Sequence, residues 1–243
     1  IIMSVFSVPL LLNCVNIFEL SAEFWLYAIA GGVTGAIGNW FMVLALKNGE
    51  LSVLGPINSY KAIVGMIFGV LILHEYPNIY GLLGIVLIIW GSYFILESPK
   101  ALLRKDIQYR IYALIFTAVE AVFIKKVIIL SSITTSFIIS SFGGAFFSYI
   151  IMRKSGLERF NIPSKKNMFM YLLTALCFGI MTFATAYVFR YINVSYALSL
   201  FQLSIIFNVI LGYKLFKEKN LLKKLLGSFI IILGSVIILI LGH

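Results

Sequence analysis

One stretch of this chain occurs twice, and that repetition constrains the architecture before anything else does. Residues 44–96 return as residues 187–239 at a constant offset of 143, the separation of Glu75 from Glu218. Without a gap, Ser52 falls on Ser195, Ile67 on Ile210, Gly69 on Gly212, Leu83 on Leu226, Gly84 on Gly227, Gly91 on Gly234 and Ser92 on Ser235, with Lys47 on Arg190. A fixed-period repeat means that one supersecondary unit is used twice. Here each unit is two long apolar runs joined by a short polar turn that carries a glutamate. Repeated halves of this kind bury a site at their mutual interface, near the bilayer midplane.

The runs exclude a water-soluble globule. Hydrophobic residues make up 61% of the chain and charged residues 12%, with mean hydropathy +1.05; soluble domains carry roughly 25% charged residues. The net charge of +10 could point to nucleic acid. The basic residues, however, cluster in short loops between apolar runs, where they act as topology signals, so no nucleic-acid partner is expected. Cys14 and Cys177 stand alone in apolar surroundings and read as packing residues, neither disulfide nor metal ligands.

The fold class expected is all-α: a polytopic membrane protein with the lipid bilayer as its main partner. Nine candidate spans approach the roughly 20 residues that a crossing needs: 1–12, 24–46, 51–73, 79–96, 109–129, 133–152, 169–191, 194–216 and 221–241. The first is short and carries Pro9, and the second half holds five spans, so an opening helix is expected upstream. The whole would then be ten helices as a five-plus-five inverted repeat, since an odd number of spans per half inverts the second copy. The expected divisions are 1–97 for the first repeat, 98–108 for the linker and 109–243 for the second repeat. Gly31, Gly35 and Gly38 form a small-residue stripe for close helix contact, and Gly84 with Gly91, like Gly227 with Gly234, share a packing face.

Lys100, Arg104, Lys105 and Arg110, the 153–166 loop, and Lys214, Lys217, Lys219, Lys223 and Lys224 all fall on one side. Glu19, Glu23 and Glu75 dominate the other, with Lys125 and Lys126 as exceptions. By the positive-inside rule the basic side faces the cytoplasm and His243 lies outside.

Polar side chains at bilayer depth are costly, about 2.5–3.5 kcal/mol for a mid-helix lysine or aspartate on insertion scales, so each needs a partner or a wet cavity. Lys61 lies near the middle of span 51–73. Asn58, Lys61 and Gly65 follow helical spacing, and their repeat equivalents Phe201, Ser204 and Asn208 do the same, so the two copies aim polar stripes at one central cavity. Tyr60 and Gln202 flank those stripes. Asn39 and its equivalent Thr182 line a weaker face, with Met42 and Thr185 one turn on. Lys61 reads as a substrate contact, as half of a structural ion pair, or as the mark of a misplaced helix boundary; Asn58, Gln202 and Asn208 read equally as ligand contacts or interhelical hydrogen bonds.

Glu120, central in span 109–129 with Thr117 one turn away, has no neutralising neighbour on its own helix. It can carry a proton during transport, making protons a coupling partner, it can pair with Lys61 across the halves and relieve the burial cost of both, or it can make an unrelated structural contact. Trp40 and Tyr187 suit ligand stacking, though lipid or packing roles fit better. Glu75 and Glu218 are expected to cap the span that follows each of them. No histidine cluster, GxSxG, P-loop or pair of intramembrane carboxylates is present in the sequence, so the chain reads as a non-enzyme with no cofactor and no metal.

The stretches LILHEY and GLLGIVLIIWGSYFIL in the first copy, with KLFKEK and LLGSFIIILGSVIILIL in the second, resemble the paired signature of the drug/metabolite transporter superfamily, in particular its EamA-like branch. The likeness is strongest over 24–96 and 169–241. It implies a ten-helix secondary carrier with inverted repeats and a central cavity, in a family that moves amino acids, nucleotide precursors, sugars, cations or drugs. Glu120, on the first helix of its half, is similar in position to the coupling glutamate of small multidrug resistance proteins. Lys61 is not part of the common signature, and it tilts the expected substrate toward an anion or zwitterion. The expectation is therefore a bacterial-type inner-membrane transporter, an exporter of a small polar metabolite working by alternating access, with proton-coupled drug efflux and a non-transporting scaffold or sensor as the alternatives.

Overall fold

A computed structural model describes residues 20–48, 57–95, 104–155, 165–204, 207 and 221–241. Every regular element among them is helical, as long apolar runs must be when water is not there to satisfy their backbone. The helices are α1 (Ala22–Asn48), α2 (Lys61–Phe68, preceded by a 3-10 turn Asn58–Tyr60 and continued by a π-helical turn Gly69–Leu73) and α3 (Ile79–Ile95). Then come α4 (Lys105–Leu130), α5 (Ile133–Lys154), α6 (Lys165–Tyr191), α7 (Val194–Leu200, followed by a 3-10 turn Phe201–Leu203) and α8 (Leu221–Leu241). Helices α1, α5 and α6 are each long and apolar enough to cross a membrane. The expected stretch 1–12 and Cys14, Glu19, Pro56, Asn208, Gly212 and Glu218 lie outside the described residues.

The chain divides into two compact units, and α1 and α4 contribute to both: Ile1–Ile37 with Phe123–Tyr191, and Gly38–Val122 with Ile192–His243. In the first unit, Ser132 caps α5 by accepting from the Thr135 amide at 3.1 Å. Lys126 pairs with Glu23 at 3.1 Å and lies over the Tyr27 ring, while Arg190 donates to the Ile128 carbonyl at 3.1 Å, where the C-terminal end of α4 leaves carbonyls without helix partners. Most of α6 presents large apolar side chains outward, among them Phe169, Leu172, Leu176 and Ile180.

The second unit is organised by the crossing of α3 and α8. A methyl group built on Gly84 would stand 2.7 Å from the Gly234 carbonyl oxygen, one on Gly234 would stand 2.6 Å from the Gly84 oxygen, and one on Gly91 would stand 2.7 Å from the Gly227 oxygen. Backbone therefore rests on backbone, which only glycine permits. Because Gly84 meets Gly234 and Gly91 meets Gly227, the two helices run antiparallel. Fully buried Ile88 and Ile231 fill the space between the glycine contacts. Helix α2 packs on α7 where Gly65 meets Leu198 and Val194, and Gly38 of α1 lies against Thr117 of α4.

Two expectations are corrected. The span expected at 109–129 starts four residues earlier: α4 begins at Lys105, with Asp106 in its first turn, where the helix dipole favours a carboxylate, and paired to Arg104 at 2.9 Å. Arg110, expected as a loop charge, is therefore a buried helix residue, 6% exposed. Glu75 does not cap α3. That role falls to Asn78, whose Oδ1 accepts from the Gly81 amide at 2.7 Å, while a Glu75 carboxylate oxygen accepts from the Val194 amide at 2.8 Å and so caps α7, in the other copy of the repeat.

Candidate substrate site

Lys61 opens α2 directly after the Asn58–Tyr60 turn. The second copy shows the same irregularity at the same place: Phe201–Leu203 is also a 3-10 turn, and it stands 143 positions on. Each turn is short of a regular i to i+4 ladder, so carbonyl groups there are less fully engaged than in an α-helix. Tyr60 packs against a core of Ala45, Ile57, Ile107 and Leu114, which ties the turn to α1 and α4.

Glu120 projects from α4 in the same unit, half-buried like Lys61, and the two charges attract each other. Among the described residues no ion pair within 4.0 Å joins Lys61 to Glu120, so the two act on one another from farther apart. Arg110 is close enough to repel Lys61, and its Nη1 donates to the thioether of Met42. Ile107 and Leu114, one turn to either side of Arg110, belong to the core that holds Tyr60 and Ile57. The second unit thus gathers two cations and one carboxylate from α2 and α4.

The remaining candidates are placed less closely. Asn58 is half-buried in the 3-10 turn, and Asn39 and Ser204 are exposed. Gln202, 2% exposed, donates from Nε2 to the Leu198 carbonyl of its own helix at 2.9 Å. Thr182 belongs to the other unit and donates to Phe178, one turn back, at 2.8 Å. Thr117 does likewise to Leu114 at 3.4 Å. The indole N–H of Trp40 is buried without a hydrogen-bond partner. Tyr187 stacks at a tilt on Tyr191, 5.0 Å between ring centres.

Sequence reasoning missed Arg110, because Arg104 and Lys105 beside it look like a basic loop. The available signal was helical periodicity: Arg110, Ala113, Leu114, Thr117 and Ala121 repeat at three- and four-residue steps and are all buried. Among the described residues no cluster of histidine, cysteine or carboxylate side chains could hold a metal ion. What the arrangement offers is charge recognition in an apolar frame, where opposite charges act more strongly than in water.

A family model, that of the EamA-like transporter family, matches residues 1–97 and 107–240. The chain belongs to the EamA-like transporter family. This EamA-like protein is also similar to a Streptococcus pyogenes serotype M1 protein named "Putative sugar uptake protein", 32% identical over 88 residues, 34% of this chain and 31% of the relative. A Streptococcus agalactiae serotype V protein of the same descriptive name is 32% identical over 81 residues, 31% of this chain and 28% of the relative. The chain spans about a third of the length of the curated relatives it matches. Membership and the apolar helices make the EamA-like chain a multi-pass membrane protein.

Proposed function

We propose that this EamA-like protein is a secondary active transporter that carries a small polar metabolite, anionic or zwitterionic, by alternating access. The observation that carries this reading is that Lys61 of α2 and Glu120 of α4, opposite charges in one compact unit, act on one another without a direct ion pair. A bound solute with a carboxylate and an amine, or an acid with hydrogen-bonding hydroxyls, would complete both charges, and its departure would let them approach. Asn58, Tyr60, Asn39, Gln202, Ser204 and Asn208 are the polar groups proposed to shape the rest of the site, with Glu120 as the group that couples transport to protons.

The glycine crossing supports a ten-helix, five-plus-five inverted repeat with divisions near 1–97, 98–108 and 109–243. Gly84 is the equivalent of Gly227 and Gly91 of Gly234, so the contacts Gly84–Gly234 and Gly91–Gly227 exchange with each other when the copies are swapped. That is the pattern of a local two-fold axis, and antiparallel equivalent helices are what inversion requires. The basic-side charge bias favours the cytoplasmic face for those loops in a bacterial inner membrane.

The test compares untargeted mass spectrometry of medium and cytosol from cells overproducing the protein, with empty-vector and Lys61→Ala controls. A compound enriched in the medium in a Lys61-dependent way identifies an exporter. The relatives' printed name favours a second reading, uptake of a sugar or sugar acid, which would show as depletion from the medium. No Lys61-dependent change of any compound would refute transport through this site and favour a scaffold.

A further inference from the structure

The turn between α2 and α3 is bonded to the second copy at three points. After the π-helical turn, His74 takes a left-handed conformation (φ 56°), which reverses the chain and brings the Glu75 amide to the Gly69 carbonyl at 3.2 Å. Glu75 then caps α7 through the Val194 amide at 2.8 Å, where the N-cap residue Asn193 makes no side-chain cap. The Asn78 amide donates to the Tyr196 hydroxyl at 2.9 Å, and its Nδ2 donates to the Leu241 carbonyl, at the C-terminal end of α8, at 2.8 Å. Tyr196 is 5% exposed, and its hydroxyl would lie 2.0 Å from a methyl group on Gly81, so the ring fits only because residue 81 is glycine.

Only part of this arrangement is duplicated in the sequence. The carboxylate is, as Glu218. The positions equivalent to Asn78, Tyr196 and Gly81 hold Leu221, Val53 and Lys224. Leucine and valine side chains can neither donate nor accept a hydrogen bond, and a lysine carries the Cβ that the tyrosine ring excludes at 81. The residues of the asparagine–tyrosine–glycine clasp are therefore present in the sequence of one copy's turn and not at the equivalent positions of the other. In a carrier whose two ends otherwise exchange roles, unequal contacts at the ends bias the equilibrium between the two states.

We propose that this clasp holds shut, at rest, the end of the second unit that carries the His74–Asn78 turn. The proposal rests on the alternating-access reading above, and its test needs no substrate. With Cys14→Ser and Cys177→Ser as background, a reporter thiol is placed by Ser195→Cys, at a buried position beside Tyr196. The protein is held in nanodiscs, where a membrane-impermeant maleimide reaches both faces. Labelling then proceeds at a rate set by the fraction of time the clasp is open.

Tyr196→Phe, which removes one hydroxyl and keeps the ring, should speed labelling about threefold to tenfold, the range that the net worth of one hydrogen bond allows. Adding Asn78→Ala should speed it further. A second reporter, Ser235→Cys, buried in α8, should label at an unchanged rate. An unchanged rate at 195, or an equal rise at 195 and 235, would overturn the clasp, the latter because the whole unit would then be loosening. If labelling follows the expected pattern while no metabolite moves in the mass-spectrometry assay, transport is refuted and the clasp stands.

Discussion

Replacing Gly84 by alanine should destabilise the protein, whereas replacing Gly144 should not, although both are glycines inside apolar helices. At Gly84 the new methyl would meet the Gly234 oxygen at 2.7 Å and Ile238 Cγ1 at 2.5 Å, against ordinary contact from 3.4 Å upward. Helices α3 and α8 would have to separate by about 0.7 Å, and a gap of that order forfeits roughly a quarter to a half of each dispersion contact along the crossing. Overpacking of this kind costs about 1–3 kcal/mol, and alanine's better helix propensity returns at most about 1 kcal/mol. The net loss is about 1–2 kcal/mol, close to tenfold in the folding equilibrium constant. At Gly144 nothing stands within 4 Å, so only the propensity gain remains, up to about 1 kcal/mol. Because Gly84 and Gly234 share one contact, the double variant Gly84→Ala/Gly234→Ala should lose less than the two single losses added. The assay is reversible denaturant titration in detergent micelles, following unfolding by tryptophan fluorescence. Equal stability changes at 84 and 144, or strict additivity of 84 and 234, would refute the backbone-contact crossing.

Lys61→Met and Glu120→Gln should each destabilise more than half as much as the double variant, with a coupling of about 0.5–3 kcal/mol in a double-mutant cycle, since either single change leaves one uncompensated charge among apolar helices; zero coupling in the same titration would separate the two residues. Glu75→Gln keeps an acceptor for the Val194 amide and should stay within about 0.5 kcal/mol of wild type, whereas Glu75→Leu leaves the cap of α7 empty and should cost about 0.5–2 kcal/mol, with faster amide hydrogen exchange confined to the first turn of α7; exchange unchanged in that turn would rule out the cap. Gln202→Leu replaces a side chain bonded to its own helix, so a variant of near-normal stability that loses transport would place Gln202 in contact with the solute, and normal transport would make it a packing residue.

The sequence by itself determined the helical class, the family and, to within a few residues, the extents of α1, α3, α5 and α8. These follow from the length and periodicity of apolar runs, because a backbone in hydrocarbon has to close its hydrogen bonds within each segment. It also marked Lys61 and Glu120 as the charges needing an explanation, since burial cost is a property of residue type and position along a span. What tertiary structure alone decided are the pairings between distant segments. Glu75 reaches Val194, Asn78 finds Tyr196 and Leu241, and Gly84 meets the repeat equivalent of Gly91 and not its own. Arg110 was hidden for the same reason: whether a basic residue at a helix end points to water or into a core depends on which neighbouring helix covers it, and here Met42 meets it from a helix 68 residues away. Local chemistry fixes what each segment must satisfy, and only packing selects which partner satisfies it.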